Sequence, residues 1–272
     1  MTVPNEVLNK FPKISNDQLL HNLSNPVGKN KLIIDTDTAN EIDDQFALAW
    51  ALLSEDKIDL LGVTAEPYSF QHHQEELLEA YNIINENKDI SKDKINLVNN
   101  YRDWVNGLID INKHPNDIYF DTPEEGVEKS YQEIIKIFDK LNMPYEGKVF
   151  RGSYQYLSSF DEPLITESSK FIVDSCLSYP NEKIYVCAIG CLTNIASALL
   201  MEPKIINNLV VVWTSGFPTH SINNNTNSLN LVLSANSTSS PEKSNSNSIR
   251  AAKSNNLALR SFNSFVIPPL IC

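Results

Sequence analysis

Six acidic or amide side chains crowd into ten residues, Asp35-Thr36-Asp37-Thr38-Ala39-Asn40-Glu41-Ile42-Asp43-Asp44. Carboxylates a few ångströms apart repel, and without a counter-ion one of them stays protonated. A hard divalent cation removes the conflict. Calcium takes six to eight oxygen ligands at about 2.3–2.6 Å, and Asp37 and Asp44 could face one ion from the two ends of the loop. No softer ligand lies nearby to favour zinc or copper. The loop also lacks the central Gly and terminal Glu of an EF-hand. A carboxylate beside such an ion is placed to take a proton from water, and the remaining coordination positions suit a substrate diol. The competing reading is a helix start decorated with acids, although five acids exceed what a cap uses.

The loop follows the apolar run Leu32-Ile33-Ile34 and precedes Phe46-Ala47-Leu48-Ala49-Trp50, so a buried strand ends, the chain turns and a helix begins. The same alternation recurs along the chain. Strands are expected at Lys31–Ile34, Ile58–Thr64, Lys148–Phe150, Lys183–Ile189 and Asn208–Trp213. Helices are expected at Asp44–Ser54, Phe70–Asn87, Pro123–Leu141, Leu164–Leu177 and Leu192–Leu200. Strands alternating with helices predict an α/β fold: an open, mostly parallel sheet with helices on both faces. Ligands in such folds lie beyond the carboxyl ends of the strands, the edge that would carry Asp37, Thr64, Gly190 and Ser215.

The chain has 272 residues and a net charge of −12. That charge argues against a nucleic-acid partner held through phosphates. No apolar stretch approaches the ~20 residues of a membrane span, and the first 30 residues lack a signal-peptide core, so a cytoplasmic protein is expected. Cys176, Cys187, Cys191 and Cys272 lack zinc spacing and read as small buried residues. Three segments follow: an N-terminal extension (1–30), an α/β domain (31–220) and an atypical tail (221–272). In the tail, Asn, Ser and Thr fill 22 of the 36 positions from Ser221 to Asn256. There Lys243, Arg250, Lys253 and Arg260 face one acid, Glu242, and the last Asp of the chain is Asp174. So abrupt a change of composition suggests either a disordered tail or an altered reading frame replacing the original C-terminus; the second is the favoured hypothesis, and a one-base shift in the gene's DNA restoring acids and hydrophobic periodicity would support it.

Two families share parts of this pattern. Ile33-Ile34-Asp35-Thr36-Asp37-Thr38 resembles the Asp-x-Asp-x-Thr motif of haloacid-dehalogenase-type phosphatases, in which Asp35 would be the nucleophile. That family also needs a later acidic pair at a separate strand end, and nothing after Leu209 resembles one. Four ordered segments instead resemble the nucleoside hydrolases of the inosine–uridine-preferring type: Asp35-Thr36-Asp37 with Asp43-Asp44; Gly62-Val63-Thr64-Ala65; Ala188-Ile189-Gly190-Cys191-Leu192-Thr193-Asn194-Ile195-Ala196; and Val210-Val211-Val212-Trp213-Thr214-Ser215-Gly216. Glu125–Tyr131 and Val149–Ser153 are similar to a bacterial-type branch.

The resemblance covers residues 31–220. It implies calcium-dependent hydrolysis of a ribonucleoside to ribose and free base, as in nucleoside salvage, by a homo-oligomer acting on a small-molecule substrate. Asp37, Asp44 and the main-chain carbonyl of Ile189 would hold calcium, and Asp37 would be the catalytic base. Asp43 and Asn40 would bind ribose, and so would Asn230, in the nearest echo of the family's Glu-Phe-Asn. Asn194 reads as a helix cap. The loop from Asp37 to Asp43 is two residues longer than the usual Asp-Pro-Gly-x-Asp-Asp. The family's late Asp and adjoining His have no counterpart, so the C-terminal part reads as missing or altered. The alternative is then a catalytically impaired binding protein. The histidines do not obviously fill that gap: His220 lies on the ligand edge, where it is only an alternative acid for the leaving base; the others read as solvated, Trp50 and Trp213 as core, and Arg151 as the partner of an acid or an anion.

Overall fold

A computed structural model describes residues 3–86, 90–213 and 265–267. Parallel strands β1 (Asn30–Thr36), β2 (Ile58–Ala65), β3 (Val149–Phe150), β4 (Ile184–Ala188) and β5 (Leu209–Trp213) form one sheet in the order β3-β2-β1-β4-β5. A short strand, β6 (Phe265–Ile267), lies antiparallel beside β5, its Phe265 opposite Trp213. The sheet is thus the open, mostly parallel one that the alternation of elements predicts.

Successive residues of a strand point to opposite faces, and β1 shows why its run is continuously apolar. Ile33 and Ile34 are both buried, but Ile33 packs with Ile184, Val186, Ile195 and Leu199, whereas Ile34 packs with Leu48, Val63, Val127 and Ile134. A central parallel strand covered on both faces has no polar side. Helices α7 (Glu167–Ser178) and α8 (Thr193–Met201) supply the first face, and α3 (Ile42–Leu52) and α6 (Pro123–Lys140) the second. Leu48 is wholly buried beneath α3. Leu48→Ala is expected to cost about 3 kcal/mol in urea denaturation; a loss under about 1 kcal/mol would show that α3 is not seated as described.

Local sequence fixes the helix ends. Thr122 accepts from the Glu125 N–H (3.1 Å) while Glu125 accepts from the Thr122 N–H (2.9 Å), a capping box with Pro123 at the first helical position. Gly62 is required by packing: a Cβ there would lie 2.7 Å from Phe171, whose ring stacks on Phe150 at 3.9 Å. Register shifts between Leu32 and Ile33, where β1 pairs with β2. Helices α1 (Asn5–Leu8) and α2 (Asn16–Leu23) precede the sheet, and Val3, Val7 and Phe11 join its core. Helices α4 (Gln74–Asn85) and α5 (Ile95–Asp110) form a smaller packed unit around Leu77, Tyr101, Val105 and Phe120. Among the described residues no helix is long and apolar enough to cross a membrane.

Candidate active site

All five parallel strands end on one edge, and the acidic loop occupies its centre. The last four residues of β1 are buried, and burial continues through Thr38, so the strand carries Asp35, Thr36 and Asp37 into the protein rather than into water. Helix α3 returns Asp44 to the same place. The Asp37 and Asp44 carboxyls lie within hydrogen-bonding reach of each other. Thr36 donates to Asp44 Oδ2 (3.0 Å), Thr36 and Thr38 hydroxyls meet at 2.9 Å, and Asn40 Nδ2 donates to Asp37 Oδ2 (3.1 Å). Burial, then the charge of Asp37, pushes Asp44 up to about 8. Burial likewise raises Asp37 above the usual carboxylate value. Asp43 is exposed at the start of α3, one residue before buried Asp44.

The turn after β4 closes the site from the other side. Ile189 donates its N–H to the Asp35 carbonyl (2.8 Å), which ties that turn to β1. Gly190 abuts Asp37 so closely that a Cβ would sit 3.0 Å from the Asp37 N and Oδ1. Trp213, buried at the end of β5, donates from Nε1 to the Gly190 carbonyl (3.1 Å). Asp37, Asn40, Asp44 and Ile189, separated in sequence, therefore share one edge. Asn230, His220 and Ser215 lie outside the described residues.

Two carboxyls in contact need a proton or a cation between them. The side chains that bond Asp37 and Asp44 are the Thr36 hydroxyl and the Asn40 amide, and two carboxyls in such a setting fit a hard ion such as calcium better than a soft metal. Among the described residues no group of three or more His, Cys, Asp or Glu side chains forms a complete metal cage. Two carboxyls and the main-chain turn at Ile189 and Gly190 meet there.

Behind this front sits a second acidic pair. Asp35 is fully buried; its Oδ1 accepts from Thr64 Oγ1 (2.5 Å) and Asn194 Nδ2 (3.0 Å). So enclosed, Asp35 cannot be the phosphate nucleophile of the Asp-x-Asp-x-Thr reading. Glu66, immediately after β2, is also fully buried; it accepts from the Asn194 N–H (2.8 Å) and from Cys191 Sγ (2.9 Å). Burial lifts Asp35 to about 6 and carries Glu66 well above the ordinary range. Sequence reasoning missed Glu66, although an acid directly after an apolar strand, as in Thr64-Ala65-Glu66, was there to be read.

Several side chains depart from expectation. Asn194 does not cap α8: it is the helix's second residue, and its amide bonds Asp35 and the Ala65 carbonyl (2.9 Å), bracing two strand tips. Trp50 is 67% exposed, because Leu48, Ala51 and Leu52 are the residues that α3 turns inward. His73 is half-buried, with Nδ1 2.6 Å from the Tyr101 hydroxyl, which donates onward to Glu76 (2.7 Å). Arg151 takes the simpler of its two readings, pairing with Glu128 (3.0 Å) over the Tyr131 ring. Burial, with nearby Cys191, Asp37 and Glu66, raises the phenol of Tyr156, from the loop after β3.

Among individually curated proteins, none matches the chain. The sequence model of the inosine-uridine preferring nucleoside hydrolases matches residues 32–242. That span holds the acidic loop, the five parallel strand tips and the turn at Ile189–Asn194, and it continues past residue 220 into the Asn/Ser-rich segment. The chain therefore belongs to the inosine-uridine preferring nucleoside hydrolase family.

Proposed function

We propose that the chain is a calcium-dependent ribonucleoside hydrolase that releases ribose and free base. The observation that carries this reading is the meeting of the Asp37 and Asp44 carboxyls, both buried, at the tip of β1 in a member of this family. Asp37, Asp44 and the main-chain carbonyl of Ile189 would hold calcium, whose charge, when bound, gathers water and sugar hydroxyls at the strand tip. Asp37 accepts the proton of the attacking water. Asp43, solvent-facing beside it, accepts from a ribose hydroxyl, and Asn40 reaches the same sugar. The glycosidic bond breaks through an oxocarbenium-like state, so this concentration of negative charge favours the transition state over the neutral substrate. Asn230 belongs to the same ribose-binding proposal. A cytoplasmic homo-oligomer is its working form.

A second reading rests on the sequence. No Asp follows Asp174 and no His follows His220, so a chain without the late ligands would bind calcium or ribose without turnover. One assay separates the two. Ribose release from inosine or uridine, abolished by chelation and restored by calcium, is expected for the hydrolase. Calcium uptake with no ribose release would select the impaired form, and neither would remove both.

A further inference from the structure

Glu66 has no part in the chemistry proposed above, yet it is fully buried beside it. Helix α8 has Leu192 at its N-cap and so no side-chain cap of its own. Its Asn194 N–H is taken instead by Glu66 Oε1, and the Cys191 thiol donates to Oε2. The Glu66 N–H donates to the Thr36 carbonyl (2.8 Å), which locks the carboxylate's own backbone to β1. One residue thus joins the tip of β1, the tip of β2 and the turn from Ile189 to Asn194.

The neighbouring Asp35 supplies a second observation. Its Oδ1 has two donors, while its Oδ2 is buried and has none among the N–H and O–H groups of fixed position. The Glu66 carboxyl lies beside the Asp35 carboxyl, within hydrogen-bonding reach of it. Two carboxyls can bond only through a proton, and an unpaired buried oxygen is costly. We propose that Glu66 is a positioning residue: as a neutral acid it donates to Asp35 Oδ2, accepts from the Asn194 N–H, and so fixes the β4–α8 turn that presents Ile189 and Gly190 to Asp37. The inference rests on the calcium-dependent reading above for its effect on binding, but not for its effect on the turn. Outer partners of this kind typically change metal affinity or activity by about 10–100-fold when removed.

Glutamine separates this role from simple filling of space. Its amide oxygen accepts from Asn194 and its NH2 donates to Asp35, reproducing the neutral acid, while Cys191 keeps the Pro67 carbonyl (3.5 Å) as an acceptor. Calcium titration calorimetry on the full chain should find Glu66→Gln within about threefold of the parent and Glu66→Ala weakened by about 10–100-fold. Hydrogen exchange over residues 189–194 should stay protected in Glu66→Gln and rise in Glu66→Ala. If Glu66→Ala does not fold, Glu66→Asp, one methylene short, should show the same losses. Parent-like calcium affinity and protection in Glu66→Ala or Glu66→Asp would overturn the positioning role. Losses in Glu66→Gln as large as in Glu66→Ala would overturn the neutral-acid donor. A parent chain that takes up no calcium would refute the metal-dependent reading and the predicted affinity effect, while the exchange measurement would still decide whether Glu66 holds the turn.

Discussion

Asp37→Ala should reduce kcat/KM for ribose release from inosine or uridine by about 10³-fold or more, since a general base alone contributes about 10²–10⁴-fold. Asp37 is asked to do two things, to take the water's proton and to hold calcium with Asp44, so losing it should weaken both turnover and calcium affinity. The fold should survive. Asp37 touches another carboxyl, and removing one of two like groups relieves repulsion rather than leaving a buried partner unpaired; Asn40 retains its backbone bond to the Asp37 carbonyl (2.7 Å). An unfolding midpoint at or above that of the parent is therefore expected. A loss of activity below about tenfold in folded protein would remove Asp37 from the chemistry.

The chelated protein should lose stability as pH rises from about 4 to about 8. Unfolded aspartates titrate near 3.9, whereas in the folded chain burial holds Asp35 at about 6 and burial with the Asp37 charge holds Asp44 at about 8. Between those values the native state binds more protons than the unfolded state, so the free energy of unfolding falls with pH. The stabilisation is complete below about pH 4 and is lost as pH passes 6 and then 8. The fall should amount to about 5 kcal/mol, read as a lower urea midpoint at pH 8 than at pH 5. On the calcium-dependent reading proposed above, the ion would replace the proton between Asp37 and Asp44 in the folded chain, so saturating calcium should flatten the curve at high pH. A midpoint that rises with pH in chelator would contradict the packed arrangement of these carboxyls.

The parts of the fold legible in the sequence were those written as contiguous patterns. The runs Leu32–Ile34, Ile58–Thr64 and Asn208–Trp213 became β1, β2 and β5 because buried parallel strands need apolar side chains on both faces. Asp37 and Asp44 were legible because unshared carboxylates in one loop call for a cation or a proton. Helix α5 was overlooked although Val98, Tyr101, Val105 and Leu108 fall on its buried face; its polar flanks Asn99-Asn100 and Asp103 mask the period. Glu66 and Asn194 were illegible in their roles for a different reason. They lie 128 positions apart, and only the parallel order of β2, β1 and β4 brings one to the other. Trp50 shows the opposite limit: its aromatic character suggests burial, but the phase of α3, set by Leu48 and Leu52, turns it outward.

Calorimetric titration of the chelator-treated chain with calcium tests the central claim most directly. One ion per chain is predicted, with the binding heat lost in Asp37→Ala and in Asp44→Ala. Absence of any heat in the parent protein, with ribose release undiminished by chelator, would contradict it.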